Sequence, residues 1–103
     1  MKKILLSLFA CLLLCSCGGN KITNKICGFI EEATERVEKA TTLSEVEAIN
    51  DKLSQNIAIY CLSLSEEEYK EWEKEPENNK IIQDAEYKYK VARQAREKTL
   101  KGQ

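Results

Sequence analysis

The sequence has no histidine. That absence removes the commonest general base and the usual nitrogen ligand of transition metals. A glycine-rich phosphate loop is missing as well. Serine and tyrosine hydroxyls without a base beside them are not nucleophiles. No apolar run is long enough to cross a bilayer: Ile4 to Leu14, interrupted only by Ser7, is eleven residues. As a helix it covers about 16 Å, roughly half of a hydrocarbon core of about 30 Å. These absences point away from an enzyme, and no catalytic residue, metal site, cofactor or small-molecule substrate is expected.

The first residues have the layout of a targeting segment. Met1-Lys2-Lys3 is a short basic region, the apolar run follows, and small residues come after it at Ser16, Gly18 and Gly19. The run ends in Leu14-Cys15-Ser16-Cys17. This tetrapeptide resembles a lipobox, the Leu-x-small-Cys pattern of bacterial lipoproteins. The resemblance covers only about the first twenty residues. It implies removal of residues 1 to 16, a diacylglyceryl group on the Cys17 thiol and a mature protein beginning at Cys17. Cys15 does not fit, because Leu14 before it is not small. Leu8-Phe9-Ala10-Cys11 matches the pattern too, but a cut there would leave Leu12 to Leu14 on the mature chain. A conventional signal without lipid is the remaining alternative. Two or three acyl chains, each methylene contributing about 0.8 kcal/mol, make dissociation from a membrane negligible. Gly18 stands where Asp would hold a Gram-negative lipoprotein back, so the resemblance implies the outer membrane.

The whole chain has 16 basic and 17 acidic residues. Loss of Lys2 and Lys3 with the signal leaves 14 basic residues against 17 acidic ones, so the mature body is mildly acidic. Its size suits one small domain, which buries only about 60 to 65% of its unfolded surface and has a thin stability margin. The expected division is signal 1 to 16, flexible lipidated tether 17 to 21, and a single helical domain 22 to 103.

Within that domain the apolar residues recur at helical spacing. Ile22, Ile26, Phe29, Ile30, Ala33, Val37 and Ala40 form a first stripe, with Gly28 its weak point. After Thr41-Thr42-Leu43, the residues Ser44-Glu45-Val46-Glu47 read as a capping box. They open a second stripe of Val46, Ile49, Leu53, Ile57, Tyr60 and Leu64. So short a connection makes the two helices antiparallel. A second box, Ser65 with Glu68, opens a segment carrying Tyr69 and Trp72, two aromatics that either cap the core or face a partner. Pro76 with Glu77-Asn78-Asn79 predicts a break. A helix is then expected from about Lys80 to Leu100, although Tyr87 to Val91 alternates like an edge strand. The fold class is thus all-α: a small bundle of about three or four helices, an antiparallel hairpin plus a longer C-terminal helix.

Once Cys11 and Cys15 leave with the signal and Cys17 takes lipid, Cys27 and Cys61 are a pair in an oxidising compartment. In a hairpin turning near Thr42, Cys61 lies about one helical turn from the level of residue 27, so a small register shift would allow a disulfide. The alternative is two buried thiols.

The charge is segregated. Residues 65 to 78 hold seven acids and two bases, and residues 79 to 103 hold seven bases and three acids. One reading is that the two segments attract each other side by side; the alternative is that Lys88, Lys90, Arg93, Arg96, Lys98 and Lys101 present a basic surface to anionic headgroups, envelope polymer or an acidic partner. Tyr87 and Tyr89 among the lysines would suit nucleic acid, but the secretion signal argues against it. Glu66, Glu67, Glu68 and Glu71 read as a solvated helix face, since calcium loops place turn residues between their carboxylates. The expectation is a membrane-anchored, non-enzymatic interaction or structural module of the cell envelope with a protein partner there. Alternatives are a polymer-binding or anionic-surface protein acting through the basic helix, and a small exclusion or immunity lipoprotein.

Overall fold

The computed structural model describes residues 20 to 102. The signal segment, Cys17 and the two glycines after it lie outside the described residues. Among the described residues there are four helices and no strand: α1 (Lys21–Lys39), α2 (Leu43–Leu62), α3 (Glu66–Glu73) and α4 (Pro76–Lys101). The all-α class, the hairpin and the longer last helix are as the periodicity predicts.

Helix α1 starts one residue earlier than its apolar stripe. Asn20 is its cap, accepting from the backbone N–H of Ile22 at 2.9 Å and of Thr23 at 3.2 Å, which satisfies donors that a helix start leaves open. Asn20 and Lys21, expected in the tether, therefore belong to the folded body. The stripe is buried along its whole length, from Ile22 through Ile26, Ile30 and Ala33 to Val37. Ala40 ends the helix in an extended conformation.

The cap of α2 is Thr42, two residues before the Ser44 of the expected box. Thr42 Oγ1 accepts from Glu45 N–H at 3.1 Å, while the Glu45 carboxylate accepts from the Thr41 hydroxyl at 2.8 Å. Thr42 and Glu45 have the same Thr-x-x-Glu spacing as a capping box, and starting there gives Leu43 a place in the first turn. Helix α2 runs back along α1, with the Phe29 and Tyr60 rings edge to face at 6.2 Å between centroids.

The Ser65 box forms as expected. Ser65 Oγ accepts from Glu68 N–H and Glu68 Oε1 accepts from Ser65 N–H, both at 3.1 Å. The break at Pro76 is narrower than predicted. Glu75 alone is extended, which meets the restriction on a residue before proline, and Pro76 is the first residue of α4. Glu77, Asn78 and Asn79 are thus the first turn of a helix rather than a turn between helices. Tyr87 to Val91 is helical, so Tyr89 is buried while Tyr87 and Val91 face outward.

Helix α4 lies parallel to α1 and antiparallel to α2. Its start is tied to the start of α1 through Thr23 and Asn78, and its end to the end of α1 through Arg96 Nε, which donates to the Ala40 carbonyl at 2.7 Å. The core is a main cluster centred on α1 with Leu53, Ile82 and Tyr89, and a small one of Ala40, Val46 and Leu100 at the far end. The described body measures 48 × 29 × 17 Å and is therefore a rod. None of its helices is long and apolar enough to cross a membrane.

Candidate functional site

Two ends of the rod carry different chemistry. At one end the start of α1, the end of α2 and α3 meet around an open cleft lined by Asn20, Tyr60, Leu64, Glu68 and Trp72. A chain of buried hydrogen bonds closes this end from within. Trp72 Nε1 donates to Thr23 Oγ1 at 2.8 Å, the Thr23 hydroxyl donates to Asn78 Oδ1 at 2.8 Å, and Asn78 Nδ2 donates to the Trp72 carbonyl at 2.9 Å. Three helices are thus fastened by two bonds between side chains and one from the Asn78 side chain to the Trp72 backbone. Trp72 thus belongs to the core margin, whereas its neighbour Tyr69, 5.9 Å away between ring centroids, is exposed.

The acids of α3 surround this end. The Ser65 backbone and side chain hold the Glu68 carboxyl below its ordinary range, assisted by the charge of Lys21. Burial, then Glu68 and Cys61, push the Tyr60 hydroxyl up. Glu66, Glu67 and Glu71 are on the exposed surface of α3. Among the described residues no group of three or more His, Cys, Asp or Glu stands together as a metal site.

The basic residues of α4 begin at its middle, with Lys88 and Lys90, and continue to its end, where Glu38, Glu45 and Glu47 of α1 and α2 are also exposed. Lys88, Lys90, Lys98 and Lys101 are exposed. Arg93 and Arg96, expected beside them, are half-buried: Arg96 completes α1 at Ala40, and Arg93 Nε lies 3.5 Å from Glu97 Oε1. The basic surface is therefore four lysines, with the two arginines turned to structural tasks. The acidic and basic segments do not lie side by side. Among the described residues the ion pairs Arg36–Glu32 and Arg93–Glu97 each stay within one helix. Asn78 and Lys98 are separated by about 30 Å of helix.

Cys27 is buried on α1 and Cys61 half-buried on α2. Cys27 belongs to the main core cluster and Cys61 packs against it, and no disulfide joins them in this structure.

Sequence periodicity missed two residues of interest. Ile59 and Leu62, in the last turns of α2, are 67% and 85% exposed. Their signal was their spacing: both fall opposite the Val46 to Leu64 stripe on a helical projection.

No protein-family model matches the chain, and no curated protein or solved structure is similar to it.

Proposed function

We propose that this chain is the precursor of a bacterial lipoprotein whose helical body is a non-enzymatic interaction module held at a membrane of the cell envelope by lipid on Cys17, and that in a Gram-negative cell this is the outer membrane. The observation that carries this reading is the order basic residues, apolar run, Leu14-Cys15-Ser16-Cys17. The body supports it: its described helices are too polar to cross a bilayer, so residence at a membrane needs an anchor such as the lipid. The absence of histidine supports a binding rather than a catalytic role.

Intact mass of the protein from a membrane fraction tests the anchor. The expected species begins at Cys17 and carries the added mass of two or three acyl chains, and Cys17→Ser blocks maturation. Normal processing of Cys17→Ser, or release of the native protein by a wash without detergent, would sink the proposal.

A second reading is favoured by the bare lysines along the second half of α4. In it, Lys88, Lys90, Lys98 and Lys101 bind an anionic envelope polymer. Retention on purified envelope polymer that disappears as salt rises supports this second reading, because exposed charges are screened over about 8 Å at physiological ionic strength. Capture of a protein partner insensitive to salt supports the first.

A further inference from the structure

Single exposed apolar residues are ordinary on a protein surface. Ile59 and Leu62 are not single: three apart on α2, they form one patch on its outer face. They are also the most exposed of the large apolar side chains on this helix, well above Leu43 at 41%. Their place along the rod matters most. The end of α2 flanks the start of α1, since Tyr60, Ser63 and Leu64 line the same cleft as Asn20 and Lys21. Cys17 is three residues before Asn20, so at about 3.3 to 3.6 Å per residue its backbone is within about 10 Å of the cap of α1. A lipid on Cys17 therefore brings the end carrying Ile59 and Leu62 to the bilayer.

We infer that this end of α2 is a bilayer-contact surface, in which Ile59 and Leu62 enter the headgroup region of the membrane holding the protein's own lipid and stand the rod on its acidic end. The inference rests on the lipoprotein reading above. The lipid surface it fits is zwitterionic, because the seven acids of residues 65 to 78 outnumber the lysines of the same end, Lys21, Lys25, Lys70, Lys74 and Lys80, so anionic headgroups repel this end weakly. In this pose Lys98 is lifted about 30 Å along α4, several screening lengths from the membrane. Lys98 and Lys101 then face away from that membrane.

The chain contains one tryptophan, Trp72, which lines the cleft at this end and reports proximity without a label. The lipidated protein is placed in phosphatidylcholine vesicles bearing a headgroup nitroxide, and Trp72 quenching is read. Strong quenching is expected, and Ile59→Gln with Leu62→Gln removes most of it while helix content by circular dichroism is unchanged. Lys98→Gln with Lys101→Gln leaves it as it was. Adding anionic lipid at low salt weakens the quenching, and salt restores it. The inference is overturned if the lipidated protein floats with the vesicles yet is unquenched, if the Gln pair on α2 changes nothing, or if anionic lipid strengthens the signal through the lysines. A mass showing no lipid on Cys17 sinks the anchor itself, and is thereby distinguished from failure of the contact alone.

Discussion

Helices α1 and α2 have almost the same length, 19 and 20 residues, but the fold uses them differently. Helix α1 buries seven residues and is packed by both α2 and α4, whereas α2 buries only Val46 and Leu53. Polar residues cover the outer side of α1, and the outer side of α2 ends in Ile59 and Leu62. The first helix is the spine of the bundle. The second holds the core with one side and offers the other to the surroundings.

Substitutions should separate these roles by size of effect. Ile30, 1% exposed in the middle of α1, has no room to relax around a cavity. Ile30→Ala is expected to cost about 4 kcal/mol, most of what so small a domain possesses. Urea unfolding measures it, and an effect below about 1 kcal/mol would deny α1 its place as the spine.

Pairing of Cys27 with Cys61 would couple the two helices most directly. Closing a loop of about 35 residues stabilises by roughly 3 to 4 kcal/mol in the chain-entropy view. If the two thiols pair on oxidation, the protein is lighter by two hydrogens before reduction and loses that stability after it. Full alkylation of both thiols without reductant would show that the core is held by packing alone.

Thr23→Val keeps the shape at the start of α1 but strands Trp72 Nε1 and leaves Asn78 Oδ1 without its donor. A loss of about 2 kcal/mol follows from buried polar groups left unmet, with a shift in Trp72 emission. Smaller still is Gly28→Ala. A Cβ at Gly28 meets nothing within 4 Å, so the helix gains about 1 kcal/mol and the melting temperature rises.

The smallest effect is a matter of pH. Glu68 has its folded pKa lowered by the Ser65 cap, so its contribution is present above the unfolded carboxyl range and is lost as acid brings the pH down through the folded value. Glu68→Gln keeps the shape of the cap and flattens that part of the acid limb of stability against pH. A slope unchanged by the substitution would assign it to other carboxyls.

Local sequence made some of this plain and hid the rest for definite reasons. The stripe from Ile22 to Ala40 and the Ser65 box are short-range features, in which propensity and packing agree. The first turns of α2 and α4 were displaced because adjacent signals competed. Thr42 and Ser44 both have a glutamate three residues on, and Asn78-Asn79 has turn composition although Asn78 is drawn into the core by Thr23 and Trp72. Charge order was legible along the chain, but where each segment falls on the rod depends on α4 running parallel to α1. The division of the basic set, with Arg93 and Arg96 drawn inward and four lysines left outside, depends on where α1 stops.

The bond circuit of Thr23, Trp72 and Asn78 joins α1, α3 and α4 and leaves α2 out. Besides its core contacts, α2 is joined to α4 by Tyr89 Oη, which donates to Asn50 Oδ1 at 2.9 Å. With Cys27 and Cys61 reduced, the molecule should therefore open in stages, with α2 detaching as a cooperative unit while the other three stay docked. Amide deuterium uptake would then be faster across α2 than across α1, giving the module a hinged flap on a slow clock.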